Sequence, residues 1–206
     1  NILIHKLMKI FGNGFIAQNL KKMKLSQQFI FYAAGVSNSN LRQNKVYQRE
    51  IKQFKKIKKI ISPKKIFIYI SSLSVENKNL KRDNYVRNKL IIEKIIKDEI
   101  KKYIIIRLPQ IVGKNHNKFT ITNYIYNTIK KGVKFNLWKN SKRNLLDIDD
   151  VVKIIKNYLL NSPKINSTIN IFNPKSISVK DILKIFGKIL AKRVIYKELK
   201  KENKNI

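Results

Sequence analysis

Tyr85 and Lys89, in the stretch "YVRNK", stand four residues apart, which on a helix sets both side chains on one face. A lysine ammonium close to a phenol favours the phenolate and makes the tyrosine usable as a base or an acid. Spacing alone does not single this pair out, because Tyr126/Lys130 and Tyr196/Lys200 repeat it. Position does. Tyr85 opens the helix expected after a strand ending in "YISS", and open α/β sheets bind ligands at the carboxyl edge of their strands. A second chemistry-bearing stretch is "IFGNGFIAQNL", residues 10–20, where Gly12, Gly14 and Ala17 spell G-x-G-x-x-A. The first glycine permits a tight turn and the second lets a pyrophosphate approach the backbone. The small third residue lets helix pack on strand, while the helix N-terminus offers free N–H groups to the anion. Taken alone, the motif fits an ordinary strand end equally well.

The elements that must position these residues alternate. Strands are expected at 8–11, at "FIFYAA" (29–34), at "KIFIYISS" (65–72) and at "YIIIRL" (103–108). The last three are continuous apolar runs of the kind buried in a parallel sheet. Helices are expected at 15–24, 46–60 and 83–99, the last with Val86, Leu90, Ile91 and Ile95 along one face. Strand–helix–strand units joined by right-handed crossovers give a doubly wound parallel α/β sheet. The second half is less regular: a helix at 119–131, a strand at 134–138, a helix from Asp149 and Asp150 to Leu160, and a strand at 168–172. Ser178 and Asp181 cap a last helix whose Ile182, Leu183, Phe186, Ile189 and Leu190 form an apolar stripe. The tail "KELKKENKNI" is expected to fray.

Composition bounds the possibilities. The chain's 206 residues suit one domain, or one domain with a small lobe. Cysteine is absent, which excludes disulfides and thiolate metal sites, and two histidines leave little for zinc; no metal site is expected. No apolar run approaches the ~20 residues that span a bilayer, so no membrane insertion is expected. "NILIHKLMKI" is too short and weakly apolar for a secretory signal, and a cytoplasmic protein is the expectation. The charge is the oddity: 46 Lys+Arg against 12 Asp+Glu, formally +34. Such a field attracts polyanions. The lysines nevertheless recur on the polar side of nearly every expected helix, and Ile and Asn are abundant with them. Compositional drift therefore explains them better than a dedicated nucleic-acid site, and nonspecific, salt-sensitive binding is expected.

With these pieces in order, residues 8–195 resemble a short member of the NAD-dependent epimerase/dehydratase family, the extended short-chain dehydrogenases. The matching stretches are "GNGFIA", "FYAAG", "YISSLSV", "YVRNK", "IRLPQIVG" and "RNLLDIDDVV". The resemblance implies one Rossmann-like domain over 8–195, with 8–115 mainly on the cofactor side, 116–195 mainly on the substrate side, and a basic tail at 196–206. It implies NAD or NADP as cofactor, held by Gly12, Asn13, Gly14, Phe15 and Ile16 at the glycine turn. Ala33, Ala34 and Gly35 would line it, and Tyr85, Lys89, Pro109, Gln110 and Ile111 would lie by its nicotinamide end. Tyr85 would be the acid/base, Lys89 its partner reaching the ribose, and Ser72 the donor to the reacting hydroxyl. A nucleotide-sugar substrate would meet Ser72, Gln110 and Arg143, the last at its diphosphate. Asp149 and Asp150 match acids read as helix caps. Epimerase, dehydratase and reductase share this first geometry, and no acid sits beside Ser72 as family dehydratases usually have. A homodimer through the helices at 46–60 and 83–99 is the family's habit.

The chain departs from the family in one large respect. Between the glycine turn and "FIFYAAG" the family has two strands and a helix, whereas "QNLKKMKLSQQ" leaves room for one helix and a tight return. The sheet should therefore be narrowed by loss of the second and third strands, with its first strand at an edge. The acid expected ~20 residues past the glycines, which holds the adenosine ribose, has no counterpart; Gly35 and Val36 fall there. Lys21, Lys22 and Lys24 are candidates for a 2′-phosphate, though they read better as helix-end lysines. Glu76 stands where the family often has an aromatic, and His116 reads as a solvated loop residue. The favoured function is a nucleotide-sugar epimerase or reductase of surface-polysaccharide synthesis. The alternative is a degenerate, non-catalytic Rossmann-like binding module.

Overall fold

The computed structural model describes residues 8–36, 44–80, 83–115, 117, 120–161 and 163–200. Residues 1–7, His116 and the last six of the tail lie outside these. In chain order the elements are β1 (Lys9–Phe11), α1 (Phe15–Leu20), β2 (Phe29–Tyr32), α2 (Asn44–Lys58), β3 (Ile66–Ser72), α3 (Asn84–Glu99) and β4 (Tyr103–Leu108). There follow β5 (Gln110–Val112), α4 (Ile121–Lys130), β6 (Phe135–Trp138), β7 (Lys142–Arg143), β8 (Leu145–Asp147), α5 (Ile148–Asn161) and β9 (Ser167–Asn170). β10 (Ile177–Ser178), α6 (Val179–Ile189) and β11 (Tyr196–Leu199) complete the set. Two compact units result: residues 1–109 with 147–171, and residues 110–146 with 172–206.

The first unit carries a five-stranded parallel sheet in the order β1-β2-β3-β4-β9. Every residue of β2 is buried, as the apolar run requires of an inner parallel strand. Along β3, Phe67 and Tyr69 turn to one face, where they join Ile30, Tyr32, Phe54 of α2, and Ile92 and Ile96 of α3. Ile68 and Ile70 alternate to the other, the side on which α1 and α5 meet. Helices on both faces make the sheet doubly wound. β1 lies at an edge, as expected from the missing family segment.

Several expectations need correction. The helix expected at 15–24 is α-helical only to Leu20 and tightens to a 3-10 turn at Lys21–Met23. Of the expected face of α3, Val86 is buried and Ile95 packs against the core, but Leu90 and Ile91 do not belong to the buried side. That side is Val86, Asn88, Lys89, Ile92, Glu93 and Ile96, with Leu90 and Ile91 exposed. The reason is ionic: Lys89 and Glu93 both find opposite charges inside the unit, so the helix turns a mixed face inward. Asp147 rather than its two neighbours accepts a hydrogen bond at the start of α5, from the Asp149 N–H at 2.8 Å. Asp149 and Asp150 occupy the first turn, where the helix dipole favours acids.

The second unit is built from short pairs: β6 with β11 in parallel, β7 with β10 antiparallel, and β5 with β8. Its core is Ile125 and Ile129 of α4, Phe135 and Leu137 of β6, and Val179, Ile182 and Leu183 of α6. Ile189, assigned above to the apolar stripe of the last helix, is exposed. Residues 197–199, at the start of the tail expected to fray, belong to β11. Among the described residues no helix is long and apolar enough to cross a membrane.

The aromatic block under α2 anchors the first unit. Phe54 is fully buried, edge-on to Tyr32 at 5.3 Å between centroids and 5.9 Å from Phe67. Phe54→Ala is expected to lower unfolding stability by about 3–5 kcal/mol, read by urea denaturation; a loss below about 1 kcal/mol would contradict this packing.

Candidate active site

At the carboxyl end of β1 the chain turns sharply at Gly12, whose φ is +130°. A β-carbon there would run into the Ala33 carbonyl and lie 2.9 Å from the Ala34 nitrogen. Glycine is required for both conformation and space. The close approach is fixed by the Ala33 N–H, which donates to the Phe11 carbonyl at 2.8 Å. Asn13 is exposed, and its carbonyl accepts from the Gln18 side chain at 3.1 Å. Gly14 is the N-cap of α1, extended, with nothing within 4 Å of where a β-carbon would stand. Phe15 and Ile16, half-buried, form the first turn of α1. Gly12 is thus packed against protein, whereas Gly14 faces open space.

Ala33, Ala34 and Gly35 follow β2, and Ala34 packs against the aromatic block. Gly35 meets something the sequence reading did not foresee. A β-carbon on it would collide with the Lys89 Nζ and lie 2.9 Å from the Glu50 Oε1. Its missing side chain makes room for a buried ion pair.

Ser72 ends β3, nearly buried, and its Oγ accepts from the Ser74 N–H at 3.2 Å, starting a short 3-10 turn. Asp83 caps α3, its carboxylate accepting from the Tyr85 and Val86 N–H groups at 2.8 and 3.2 Å. Tyr85 and Lys89 therefore occupy the first two turns of α3. The Lys89 Nζ sits 5.6 Å from the Tyr85 ring centroid and 5.3 Å from that of Tyr69. Lys89 is only 3% exposed, as is Glu50 on α2, and the two are bonded at 3.2 Å. Burial works against the charge on Lys89, but the Tyr69 oxygen, the Glu50 carboxylate and the Tyr85 oxygen together outweigh it, holding the ammonium above the ordinary lysine range. Burial likewise pushes the Tyr69 and Tyr32 phenols upward. Among the described residues neither hydroxyl has a hydrogen-bond partner of good geometry.

Glu50 is the residue that sequence reasoning missed. Its Oε2 accepts from the Val36 N–H at 3.0 Å and the Asn88 side chain at 2.8 Å, while its Oε1 takes Lys89. The signal was present. In "KVYQREIKQFKKIKK" the single acid lies on the inward stripe formed by Tyr47, Glu50 and Phe54. A second buried cluster was also missed. Ser71, neighbour of Ser72, donates to Glu93 at 2.6 Å, and the Arg107 Nε donates to the same oxygen at 2.9 Å. Arg107 also pairs with Glu76, whose carboxylate accepts from Asn170 at 3.3 Å.

The glycine turn, Ala33–Gly35, Ser72, Tyr85 and Lys89 all belong to the carboxyl side of the first unit's sheet, where Pro109 ends the unit's first segment. In the second unit, the Gln110 N–H donates to the Asn144 carbonyl at 3.2 Å, while its buried Oε1 has no partner among the described residues. Ile111 is buried. Arg143 on β7 is half-buried, with its Nη1 donating to the Lys142 carbonyl at 2.9 Å. Of the candidate 2′-phosphate lysines, Lys22 donates to the Asn19 side chain at 2.6 Å and Lys24 is left-handed at φ 47°.

Residues 16–171 match the family described as the NAD dependent epimerase/dehydratase family. This chain belongs to that family. The family match begins just past the glycines of the turn. Solved structures share the fold of this epimerase/dehydratase family member at low identity. RMD from Pseudomonas aeruginosa, complexed with NADPH, is 13% identical with a TM-score of 0.74, covering 96% of this chain and 87% of its own. UDP-glucuronic acid 4-epimerase from Bacillus cereus, in complex with NAD, is 18% identical with a TM-score of 0.70, covering 88% and 66%. UDP-glucose 4-epimerase from Thermotoga maritima, with UDP-glucose, is 17% identical with a TM-score of 0.64, covering 92% and 70%. No curated protein matches the chain.

The two glycines of the turn should respond differently to a methyl group. Gly12→Ala, strained at positive φ and blocked by Ala33, is expected to cost about 1–3 kcal/mol of stability. Gly14→Ala should cost under about 1 kcal/mol, the penalty of a poorer N-cap. Urea unfolding of both variants decides, and equal losses would contradict the packing described.

Proposed function

We propose that this family member is an NAD(P)-dependent nucleotide-sugar epimerase or reductase serving surface-polysaccharide synthesis. Ser72, Tyr85 and Lys89 would be its reacting set. The observation that carries the reading is the placement of Lys89, whose ammonium is held over the Tyr85 ring at the carboxyl edge of the sheet. The backbone nearby suits a dinucleotide diphosphate. Gly12 packs tightly enough to bring β1 and β2 together, and Gly14 leaves its side open. Gly12 to Ile16 would hold the diphosphate, with Ala33, Ala34 and Gly35 alongside, and Pro109, Gln110 and Ile111 at the nicotinamide end.

When bound, NAD(P) supplies the acceptor and donor of hydride. The chain's own residues handle the proton. Tyr85, acting as phenolate, takes the proton of a sugar hydroxyl onto its own oxygen. The Ser72 hydroxyl, whose oxygen accepts from the Ser74 N–H, keeps its proton available to donate to that sugar oxygen. Tyr85 returns the proton when the carbonyl is reduced again. Arg143 and Gln110 keep the substrate-contact roles that the family resemblance implies.

A second reading, a Rossmann-like module that binds without catalysing, is favoured by one observation. Gly35 and Val36 themselves bring no acid to hold an adenosine ribose, the Glu50 carboxylate beside them is taken up by Lys89, Asn88 and the Val36 N–H, and among the described residues β1 has no further strand beside it. One experiment separates the two. Calorimetric titration with NAD(H) and NADP(H) at low and moderate salt is expected to show binding that survives moderate salt. With a nucleotide-sugar substrate in hand, Tyr85→Phe is expected to cut turnover at least ~100-fold while leaving cofactor affinity within several-fold. Turnover that survives the change would sink the mechanism; binding that vanishes with salt would sink the cofactor site.

A further inference from the structure

We propose that Glu50 is the positioning residue of the Tyr85–Lys89 pair: its carboxylate keeps the Lys89 ammonium charged and in place, and ties it to the backbone after β2. The proposal rests on the functional reading only where it assigns Tyr85 and Lys89 to substrate; the hold on Lys89 stands on geometry. The hydrogen bonds of Glu50 go to Val36, Asn88 and Lys89 rather than to Tyr85 or the glycine turn. Glu50 acts through others, and its two oxygens divide the work. Oε1 takes Lys89 at 3.2 Å, while Oε2 takes the Val36 N–H at 3.0 Å and Asn88 at 2.8 Å.

Three elements are thereby fixed to one another: α2, the loop leaving β2, and the second turn of α3. Gly35 belongs to the same device, because a β-carbon there would meet the Lys89 Nζ and the Glu50 Oε1 and oblige the pair to shift. Around Lys89, the Tyr69 and Tyr85 oxygens add to the hold, but Glu50 brings the carboxylate that bonds the ammonium. Tyr32 of β2 and Tyr69 of β3 are kept neutral by burial. Tyr47 of α2 is pushed the same way, by burial and then by Asp83. Asp83, before α3, is committed to the Tyr85 and Val86 N–H groups. Tyr85 faces Lys89 with its ring. Among the described residues Glu50 is the one carboxylate bonded to Lys89.

A lysine this buried, left without its carboxylate, gives up its proton far more easily than a free one. Glu50→Gln keeps side-chain size and an oxygen acceptor but removes the charge. As pH rises, the variant's Lys89 should therefore lose its ammonium well before the native residue does, and turnover should gain a falling limb on the alkaline side that the native profile lacks. Glu50→Asp, which retains the charge, should restore the native profile.

The test follows Lys89 itself. Full-length protein is labelled with [ε-13C]lysine, the Lys89 signal is identified by its loss in Lys89→Arg, and pH is titrated by NMR. In Glu50→Gln, Lys89 is expected to bind its proton at least tenfold more weakly than an ordinary lysine, whose pKa is ~10.4; the native signal should not titrate below that. An unchanged Lys89 titration in Glu50→Gln would overturn the proposal. Should Glu50→Gln fail to fold, Glu50→Gln with Lys89→Met removes both charges and is expected to fold; failure of that variant too would overturn it. If native protein binds neither NAD(H) nor NADP(H), the functional reading falls, while the Lys89 titration still judges the hold by Glu50.

Discussion

Burying an ammonium group costs several kcal/mol unless a carboxylate and further hydrogen bonds meet it. In this chain that demand organises the carboxyl edge of the first unit. Lys89 brings a charge beneath the loop after β2, so a glutamate must appear on the inner face of α2, a glycine must stand at 35, and an asparagine must share the pocket. The result couples elements far apart in sequence. Thirty-nine positions separate Lys89 from Glu50, yet neither α2 nor α3 could be rotated about its axis without stranding a charge.

A neighbouring pair repeats the logic on the same helix. Glu93, one turn beyond Lys89, is buried against Arg107 and Ser71. The two ion pairs have opposite polarity along α3, lysine first and glutamate second. Together they give the helix one rotational setting, and that setting presents Tyr85 where the strands end. Replacing either pair with apolar residues would leave the core packed but would remove the reason for that orientation.

The parts legible in the sequence were those governed by one strong local signal. Inner strands such as "FIFY" and "YIIIRL" announce themselves as unbroken apolar runs, and the glycine turn and the Ser178 cap depend on neighbours in the chain. The narrowed sheet could be read as well, because a missing segment is a matter of length. What failed was anything decided by partners distant in sequence. Leu90 and Ile91 look like core by hydrophobicity, but ion pairs turned α3 away from them. Glu50 drew no notice because its partners lie on other elements. The small strands of the second unit, two to four residues each, fall below the length at which alternation carries information.

Shortening the sheet has a further cost. Among the described residues β1 has a neighbour on one side only, which leaves backbone donors and acceptors along its outer rim, a template on which a strand from another molecule could assemble. Two features blunt it. β1 is only three residues long, and its first residue is Lys9, whose ammonium folds over the Phe11 ring at 4.8 Å from the centroid. A charge at the rim repels a second copy of itself, and the lysine stem shields the aromatic that would otherwise invite stacking. Lys9 thus sets on this edge the kind of charge by which natural sheets discourage edge-to-edge pairing.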